Sequence, residues 1–260
     1  MNNLKATLNI TTDSVAVITL NRPEVRNAFD DEMIALLIDY LSQIDVDSSV
    51  KALLLKANGK HFSAGADLNW MARMAKNSAE ENLADAKQLA KLMSLLDQLS
   101  VPTIGVIQGA AYGGAVGLAA CCDMVFASND SNFCLSEVKI GLIPSTISPY
   151  VLRAIGERQA RRFFISAEAF SAATAKTLGL VHETVSTDEL ESASQLWLHK
   201  LLKNGPLAMR KAKQLAVDVG SQPISDQLIE HTAKSIADIR STAEAIEGLS
   251  AFLEKRSPNW

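Results

Sequence analysis

The sequence predicts an α/β core followed by a helical C-terminal extension. Short apolar runs alternate with amphipathic stretches through about the first 145 residues, which is typical of strands alternating with helices. Beyond that point helical periodicity dominates. With 260 residues and 48% hydrophobic composition, the chain can bury a large core. Because Asn204-Gly205 is a natural break, we predict a core over 1–204 and a helical extension over 205–260.

Three strands and two helices are predicted before residue 110. The strands are Val15–Leu20, 52–56 and Thr103–Ile107, which are apolar and end near turn residues. One helix begins after a cap supplied by Asp30 or Asp31, and the other covers about 80–99. Both helices carry apolar residues on one face, so each is expected to pack against the core.

The rest of the chain is predicted to contain one more strand and seven helices. A helix rich in glycine and alanine begins at about Gly114 and leads to a strand over 124–127. Pro206 suits the first turn of a helix. The six further helices are predicted over 157–165, 171–178, 188–202, Pro206–Val219, 224–239 and 242–255.

Composition argues against several classes of function. The net charge of −4 is small and acidic, so the chain is not expected to bind nucleic acid. Three cysteines without a C-x-x-C pair, and four scattered histidines, predict neither a disulfide framework nor a metal site. The N-terminus lacks the pattern of a secretory signal. We therefore expect a protein of the reducing cytoplasm.

One uncharged segment is long enough to raise the question of a membrane span. Residues 101–122 carry no charge, and about 20 apolar residues can cross a bilayer. The segment nevertheless contains Pro102, Gln108 and five glycines, and it is rich in small residues instead of leucine. We predict that it forms a buried strand, a turn and a closely packed helix, and that the protein has no membrane partner.

Two glycine-containing junctions are the candidate chemical features. They cover residues 61–68 and 108–117, and each lies between an apolar strand and a helical stretch. Such junctions expose unpaired N–H groups, and a helix N-terminus adds a positive dipole. Two N–H groups that converge on one oxygen form an oxyanion hole. Either junction alone is most simply a tight turn, and neither matches a phosphate-binding loop.

Five motifs, taken in their order along the chain, indicate a family more specifically than either junction alone. They are NRP at 21–23 with NA at 27–28, FSAGAD at 62–67, the segment from 108 to 123, EVKIGLIP at 137–144, and EGLSAFLEKR at 247–256. In this order and spacing they resemble the crotonase family, also called the enoyl-CoA hydratase/isomerase superfamily. The resemblance implies a crotonase-like spiral of ββα units with a helical C-terminal trimerisation region, assembled as a homotrimer or as a hexamer, a dimer of trimers.

The resemblance also implies roles for particular residues. The N–H groups of Ala66 and Gly114 would bind the thioester oxygen, and Glu137 would be the catalytic acid and base. Phe252 and Lys255 would reach the coenzyme of a neighbouring subunit. Residues implied to contact the acyl-CoA substrate are Val25, Arg26, Ala28, Ala64, Asp67, Leu68, Gly113 and Gly117. Asp67 also fits a helix cap, and capping by its side chain is compatible with substrate contact through its backbone.

The chain departs from the family pattern at Gly117. The best-known hydratases use two glutamates, and the position of the first corresponds to Gly117, so only Glu137 is present. An apolar pocket would raise the pKa of Glu137 and suit it to proton transfer. Hydration of a 2-enoyl-CoA is the leading hypothesis. A Δ3,Δ2-enoyl-CoA isomerase and a non-catalytic acyl-CoA-binding protein are the alternatives.

A narrower resemblance favours hydration. The runs at 113–118, 121–123, 133–138 and 147–150 resemble bacterial methylglutaconyl-CoA hydratases of leucine and acyclic-terpene degradation. This implies 3-methylglutaconyl-CoA or a related branched, carboxylated substrate, for which Arg26, Lys139 or Arg153 would supply a cation. The cluster of Arg153, Arg158, Arg161 and Arg162 is otherwise interpreted as a solvated helix face. No cofactor is expected, since the coenzyme A thioester is itself the substrate.

Overall fold

The computed structural model describes residues 4–220 and 222–260, within which nine β-strands and eleven α-helices form. Residues 1–3 belong to the predicted core and to the N-terminus without a secretory pattern, and they lie outside the described residues. The strands are β1 (Ala6–Ile10), β2 (Val15–Leu20), β3 (Ala52–Ala57), β4 (Thr103–Ile107), β5 (Ala110–Tyr112), β6 (Met124–Ser128), β7 (Asn132–Cys134), β8 (Phe170–Ser171) and β9 (Glu183–Val185). The helices are α1 (Asp31–Val46), α2 (Leu68–Met74), α3 (Ala79–Asp97), α4 (Gly114–Cys121), α5 (Ser148–Ile155), α6 (Glu157–Ser166), α7 (Ala172–Leu178), α8 (Leu190–Leu201), α9 (Pro206–Val219), α10 (Asp226–Arg240) and α11 (Ala243–Leu253).

A six-stranded sheet carries the loops that matter for function. Its order is β1-β2-β3-β4-β6-β9, and every pair except the antiparallel β1–β2 is parallel. Because β2, β3 and β4 are parallel neighbours, their carboxyl ends meet at one edge of the sheet. The loops that begin after Leu20, Ala57 and Ile107 therefore leave from the same edge, although they are far apart in sequence.

A three-stranded sheet adds a fourth segment to this region. Its order is β5-β7-β8, and β5 runs parallel to β7 with Tyr112 opposite Cys134. The residues that follow β5 and those that follow β7 consequently emerge side by side. Gly113 and Glu137 are brought together in this way, although they lie 24 positions apart in the sequence.

The core lies on both faces of the six-stranded sheet. On one face α1, α3 and α4 pack against the strands, and all five residues of β4 are buried. On the other face α8 covers a smaller apolar cluster through Leu190 and Leu198. Parallel strands that are covered on both faces are expected to be continuously apolar, which explains why β4 is easily recognised in the sequence.

Most predicted elements are confirmed, and the elements that were missed are all short. The bounds of β2, β4 and α9 match the prediction, and Asp30 is the residue that caps α1, accepting a hydrogen bond of 2.9 Å from Met33 N–H. The segment over 101–122 contains the strand β4 and the helix α4 as expected, and the short strand β5 lies where a turn was predicted. The missed elements are β1, β5, β7, β8, β9 and α5, each of at most eight residues and so too short to show a clear period, whereas the helical stretch expected after residue 68 is α2.

The C-terminal helices are fastened to the core by polar contacts. Arg210 on α9 donates to the carbonyl of Val50 at 2.6 Å, and Lys213 pairs with Asp123 at 2.8 Å. The carboxylate of Glu244 accepts hydrogen bonds from two N–H groups in the first turn of α9. The division at residue 204 stays a prediction. Among the described residues no helix is long and apolar enough to cross a membrane, and the cytoplasmic location stays a prediction.

Candidate functional site

The two glycine-containing loops form one hydrogen-bonded unit. Phe62 N–H donates to the carbonyl of Gln108 at 2.7 Å, and Ser63 N–H donates to that of Ala110 at 3.0 Å. Tyr112 N–H returns a bond to the carbonyl of Ser63 at 3.0 Å. Because the backbones are paired like short strands, the segment after residue 63 and the segment after residue 112 have fixed relative positions. The structure therefore brings together the two loops that were predicted to form an oxyanion hole.

Ala66 carries the first free N–H group. Phe29 N–H donates to the carbonyl of Gly65 at 2.7 Å, and Asp67 N–H donates to the carbonyl of Phe29 at 2.7 Å. In such a parallel bridge the N–H of the central residue points away from its partner strand. Ala66 N–H accordingly has no hydrogen-bond partner among the described residues, and Ala66 itself is exposed. An incoming acceptor can take this position.

Gly114 carries the second free N–H group. It is the first residue of α4, where backbone N–H groups lack partners within the helix. Gly113 directs the chain into α4 with a φ of 55°, and its own N–H donates to the carbonyl of Cys134 at 2.9 Å. No acceptor for Gly114 N–H occurs in the described part of the chain. The helix dipole adds a positive potential at this point.

Glu137 lies beside the second donor. A Cβ atom placed on Gly113 would lie 3.2 Å from Glu137 Oε1, so the carboxylate is in contact with the backbone that presents Gly114. Its other oxygen, Oε2, is buried and has no hydrogen-bond partner among residues 4–220 and 222–260. Burial raises the pKa of this carboxyl group above its ordinary value. A carboxyl group with a raised pKa accepts a proton more readily than an exposed glutamate and can act as a base and then as an acid.

The place of the second carboxylate is filled by an apolar side chain. Gly117 lies on α4 about one turn beyond Gly114. A Cβ atom placed on Gly117 would lie 2.3 Å from Ile147 Cγ2 and 3.2 Å from Met93 Sδ. Ile147 is buried, so Gly117 is covered by tightly packed hydrocarbon. The substrate contact expected of Gly117 stays a prediction, but the space above it cannot hold a glutamate without repacking.

Asn27 is a site residue that the sequence indicated only through a motif. It is fully buried, and its φ of 53° is one that asparagine tolerates better than most residues. Its Oδ1 accepts from Arg22 N–H at 2.7 Å, and its Nδ2 donates to the carbonyls of Asn58 and His61, both at 2.8 Å. The side chain thus ties the first loop of the site to the one that presents Ala66.

Arg22 is the second site residue that the sequence indicated only through a motif. Its guanidinium donates to the carbonyl of Ala28 at 2.8 Å and to Asp67 Oδ2 at 3.0 Å. It also lies 3.1 Å from Asp30 Oδ2. Burial opposes ionisation of Asp67, but hydrogen bonds from Trp70 and Asn69 N–H and from Arg22 hold its pKa below the ordinary value. The predicted capping role of Asp67 is confirmed, and its side chain is fully engaged.

Replacing Asn27 with alanine is expected to destabilise the fold by about 2–5 kcal/mol, because three backbone groups would lose their partner in a buried place. Urea unfolding of Asn27→Ala measures the effect. Asn69→Ala is the control: Asn69 is exposed, and its replacement is expected to change stability by about 0.5 kcal/mol or less. Equal stability of the two variants would contradict the role assigned to Asn27.

Only some of the residues predicted to contact the coenzyme lie close together in the structure. Ala64 N–H donates to the carbonyl of Arg26 at 3.0 Å, so the loops around these residues are adjacent. Val25 and Leu68 are exposed there, with Leu68 80% exposed, whereas Ala28 is buried. Phe252 is 81% exposed on α11, and Lys255 follows that helix. The contact of Phe252 and Lys255 with a neighbouring subunit stays a prediction.

Arg153 is separated from the site. It pairs with Asp97 and lines a cavity of about 780 Å³ at the C-terminal end of α4, together with Cys121. Since α4 has eight residues and is therefore about 12 Å long, this cavity is remote from Gly114. Arg153 is already paired with Asp97, and its predicted role as the cation for a distal substrate carboxylate stays a prediction. Arg26 and Lys139 form no ion pair within the described residues.

Known proteins resemble this chain over almost its full length. A family model described as enoyl-CoA hydratase/isomerase matches residues 11–260. A 2,3-dehydroadipyl-CoA hydratase from Escherichia coli is 32% identical over 249 residues, covering 95% of this chain and 94% of that protein. A crotonyl-CoA hydratase from Syntrophomonas wolfei is 30% identical over 250 residues, covering 95% of each. The crystal structure of an enoyl-CoA hydratase from Shewanella pealeana superposes with a TM-score of 0.95 at 46% identity, covering 100% of this chain and 97% of that one.

These similarities confirm the resemblance inferred from the five motifs. They also confirm the crotonase-like α/β fold with its helical C-terminal region. The narrower resemblance to methylglutaconyl-CoA hydratases stays a prediction. Since the family model and relatives of 30% identity or more span most of the sequence, the chain belongs to the enoyl-CoA hydratase/isomerase family.

Proposed function

We propose that the protein is an enoyl-CoA hydratase, which adds water across the C2=C3 double bond of a 2-enoyl-CoA thioester. The observation that carries the proposal is the position of Glu137: its Oε1 lies beside Gly113, which precedes Gly114, and its Oε2 is buried without a hydrogen-bond partner among the described residues. A buried carboxyl group beside the backbone that presents an oxyanion donor suits the transfer of a proton to or from an enolate. The names of the relatives support the same reaction.

The reaction begins when the thioester oxygen accepts hydrogen bonds from Ala66 N–H and Gly114 N–H. This withdraws electron density from C3, to which the oxygen of a water molecule adds while Glu137 takes one of its protons. The electron pair of the double bond moves to C2 and the thioester oxygen, forming an enolate that the two donors stabilise. Glu137 then returns the proton to C2, and the carboxylate is regenerated.

A single carboxylate is sufficient for this sequence of steps. The same group removes a proton in one step and delivers it in the next, so its pKa must permit both. Burial raises the pKa of Glu137, which brings it closer to that requirement than an exposed glutamate would be. No second acid is available on this face of α4, because Ile147 covers Gly117.

Isomerisation is the second candidate, and the apolar surroundings of Gly117 favour it. Ile147 and Met93 surround that position, so α4 brings no carboxylate there to act together with Glu137. One carboxylate can move a proton from C2 to C4 of a 3-enoyl-CoA through the same enolate. This reaction conserves mass, whereas hydration adds one molecule of water.

We further propose a branched, carboxylated acyl group such as 3-methylglutaconyl. The motif resemblance supports this choice, and so does the relative named for 2,3-dehydroadipyl-CoA, which is the thioester of a dicarboxylic acid. Lys139 is the proposed partner of the distal carboxylate, because it is exposed and lies with Glu137 in the short 3₁₀ helix Glu137–Ile140. Arg26 lies in the loop that is implied to contact the coenzyme.

Turnover of an acyl-CoA panel with identification of products by mass spectrometry tests these proposals. Crotonyl-CoA, 3-methylglutaconyl-CoA and a 3-enoyl-CoA form the minimal panel. A gain of one water from the first two supports hydration, and a conjugated product of unchanged mass from the third would assign isomerisation. Tight binding without turnover of any member would contradict both and leave a non-catalytic acyl-CoA-binding protein.

Lys139→Gln tests the proposed carboxylate partner. We expect KM for 3-methylglutaconyl-CoA to rise about tenfold, since a charge-assisted hydrogen bond contributes about 1.5–3 kcal/mol, while crotonyl-CoA is affected little. Arg26→Gln is the matched control and is expected to raise KM for both substrates alike. A Lys139→Gln variant that treats the two substrates equally would contradict the assignment.

The proposed homotrimer or hexamer is supported by apolar residues left exposed on the C-terminal helices. Ile236 on α10 is exposed, as are Ile246, Leu249 and Phe252 on α11. Contiguous exposed apolar surface is typical of subunit interfaces. Sedimentation analysis of the purified protein distinguishes a trimer, a hexamer and a monomer of 28.0 kDa.

A further inference from the structure

His61 connects three loops of the site. Its backbone carbonyl accepts a hydrogen bond of 2.8 Å from Asn27 Nδ2, and its ring nitrogen Nδ1 accepts one of 3.1 Å from Ala110 N–H. The ring is packed closely, since a Cβ atom placed on Gly109 would lie 2.7 Å from Nδ1. The loop that contains Asn27 and the two loops that present Ala66 and Gly114 therefore meet at this one residue.

The hydrogen bond from Ala110 defines the protonation state of the ring. A backbone N–H group can only donate, so Nδ1 must carry a lone pair and the neutral ring must hold its proton on Nε2. Protonation of Nδ1 would place two N–H groups against each other. The bond to Ala110 would then break, and an N–H group in a tightly packed place would lose its acceptor.

Both oxyanion donors lie a few residues from this bond. Ala110 opens β5, which leads directly to Gly113 and Gly114, and His61 opens the segment that leads to Ala66. A change in the separation of the two segments at His61 therefore reaches the donors through only a few residues of backbone. Displacements of about 1 Å in a catalytic site can reduce the rate about 100-fold.

The surroundings keep the ring neutral. Burial lowers the pKa of His61 below its ordinary value, and the charges of Arg26 and Lys60 lower it further. Arg26 caps the C-terminal end of the short 3₁₀ helix Pro23–Val25, and Lys60 precedes His61 in the chain. These two cations are the charged groups that act on the ring, and the adjoining residues Gly109 and Ala110 bring no charged side chain.

We propose that His61 is a positioning residue that holds the two oxyanion donors in register only while its ring is neutral. The proposal rests on the oxyanion-hole function proposed above. His61 does not contact the reacting atoms. It acts through Ala110, and acidification that protonates Nδ1 releases the loop that presents Gly114.

Two substitutions separate this role from a merely structural one. Asparagine offers an amide oxygen close to the position of Nδ1 and does not titrate, whereas leucine fills space without an acceptor. His61→Leu is expected to lower kcat for the acyl-CoA substrate about 10- to 100-fold at every pH. His61→Asn is expected to recover most of that loss and to remove one ionisation from the acidic limb of the kcat profile. The ionisation of Glu137 remains in both variants.

The experiment compares kcat against pH for the wild-type protein and both variants, together with NMR of histidine labelled with ¹⁵N in the wild type. An unprotonated Nδ1 at pH 8 is expected. A proton on Nδ1 at that pH, an unchanged acidic limb in His61→Asn, or a wild-type kcat in His61→Leu would each overturn the proposal. The NMR measurement requires no turnover, so a failure of the proposed hydration is distinguishable from a failure of the role of His61.

Discussion

Glu137→Gln is expected to lower kcat for hydration by about 10²- to 10⁴-fold, the usual contribution of a positioned acid or base. The amide keeps the size of the side chain but cannot take a proton from water. Binding is expected to change little, because Ala66 and Gly114 still hold the thioester oxygen. Loss of the conjugated thioester absorbance of a 2-enoyl-CoA measures the rate.

Glu157→Gln is the matched control for this experiment. Glu157 is an exposed carboxylate at the start of α6, and its replacement is expected to leave turnover near the wild-type value. A Glu137→Gln variant with the same kcat as the control would remove Glu137 from the mechanism.

The same substitution has an expected effect on stability that depends on pH. Because the pKa of Glu137 is raised in the folded protein above its ordinary value of 4.5, folding favours the protonated form. The carboxyl group therefore contributes its full stability below about pH 4.5 and loses it as the pH rises through the folded-state pKa. Glu137→Gln should thus have a higher Tm than the wild type at pH 8, and the gap should narrow on acidification. A gap that widens toward acidic pH would contradict burial as the cause.

Gly117→Glu has the second largest expected effect, which is a loss of both stability and activity. Supplying the missing carboxylate would be the obvious way to obtain a two-glutamate hydratase. In this chain the first side-chain atom would already lie 2.3 Å from Ile147 Cγ2 and 2.8 Å from Ile147 Cβ. Overpacking of a core costs about 1–3 kcal/mol, and burying an unpaired carboxylate adds to that cost. We expect a lower Tm and a lower kcat than in the wild type.

Relief of the clash tests the cause. Ile147→Gly removes both atoms that Gly117→Glu would strike, so the double variant Gly117→Glu/Ile147→Gly is expected to recover part of the Tm lost by Gly117→Glu. Ile147→Gly alone is the control, because it creates a cavity and is itself destabilising by about 2–5 kcal/mol. If the two substitutions were simply additive in Tm, Ile147 would not be the residue that excludes a second carboxylate.

The sequence was informative where a residue acts within its own segment. The apolar runs of β2 and β4 are local features and were predicted correctly, and the cap of α1 is Asp30, one of the two neighbouring residues predicted for it. β5 and β7 have three residues each, and their identity as strands depends on the pairing of Tyr112 with Cys134. No window of sequence contains that information.

The predicted oxyanion donors show the same difference between local features, which the sequence indicates, and pairing between distant segments, which it does not. Glycines at the two junctions indicated exposed N–H groups, and the order of the motifs indicated which reaction they serve. The pairing of Ser63 with Ala110 and Tyr112, which fixes the donors, joins segments about 50 residues apart and is visible only in the fold. The roles of Asn27 and His61 were missed for this reason, because their partners lie on other loops.

The sequence by itself thus located two junctions with exposed N–H groups through their glycines, and the order of its motifs implied the roles predicted for Ala66, Gly114 and Glu137. The tertiary structure decided what these groups can do. It buries Glu137 beside Gly113, which raises the pKa of its carboxyl group, and it places Ile147 over Gly117, which closes the site to a second acid. Burial and steric overlap arise between residues that are distant in the chain, so they exist only once the strands are paired and the helices are packed.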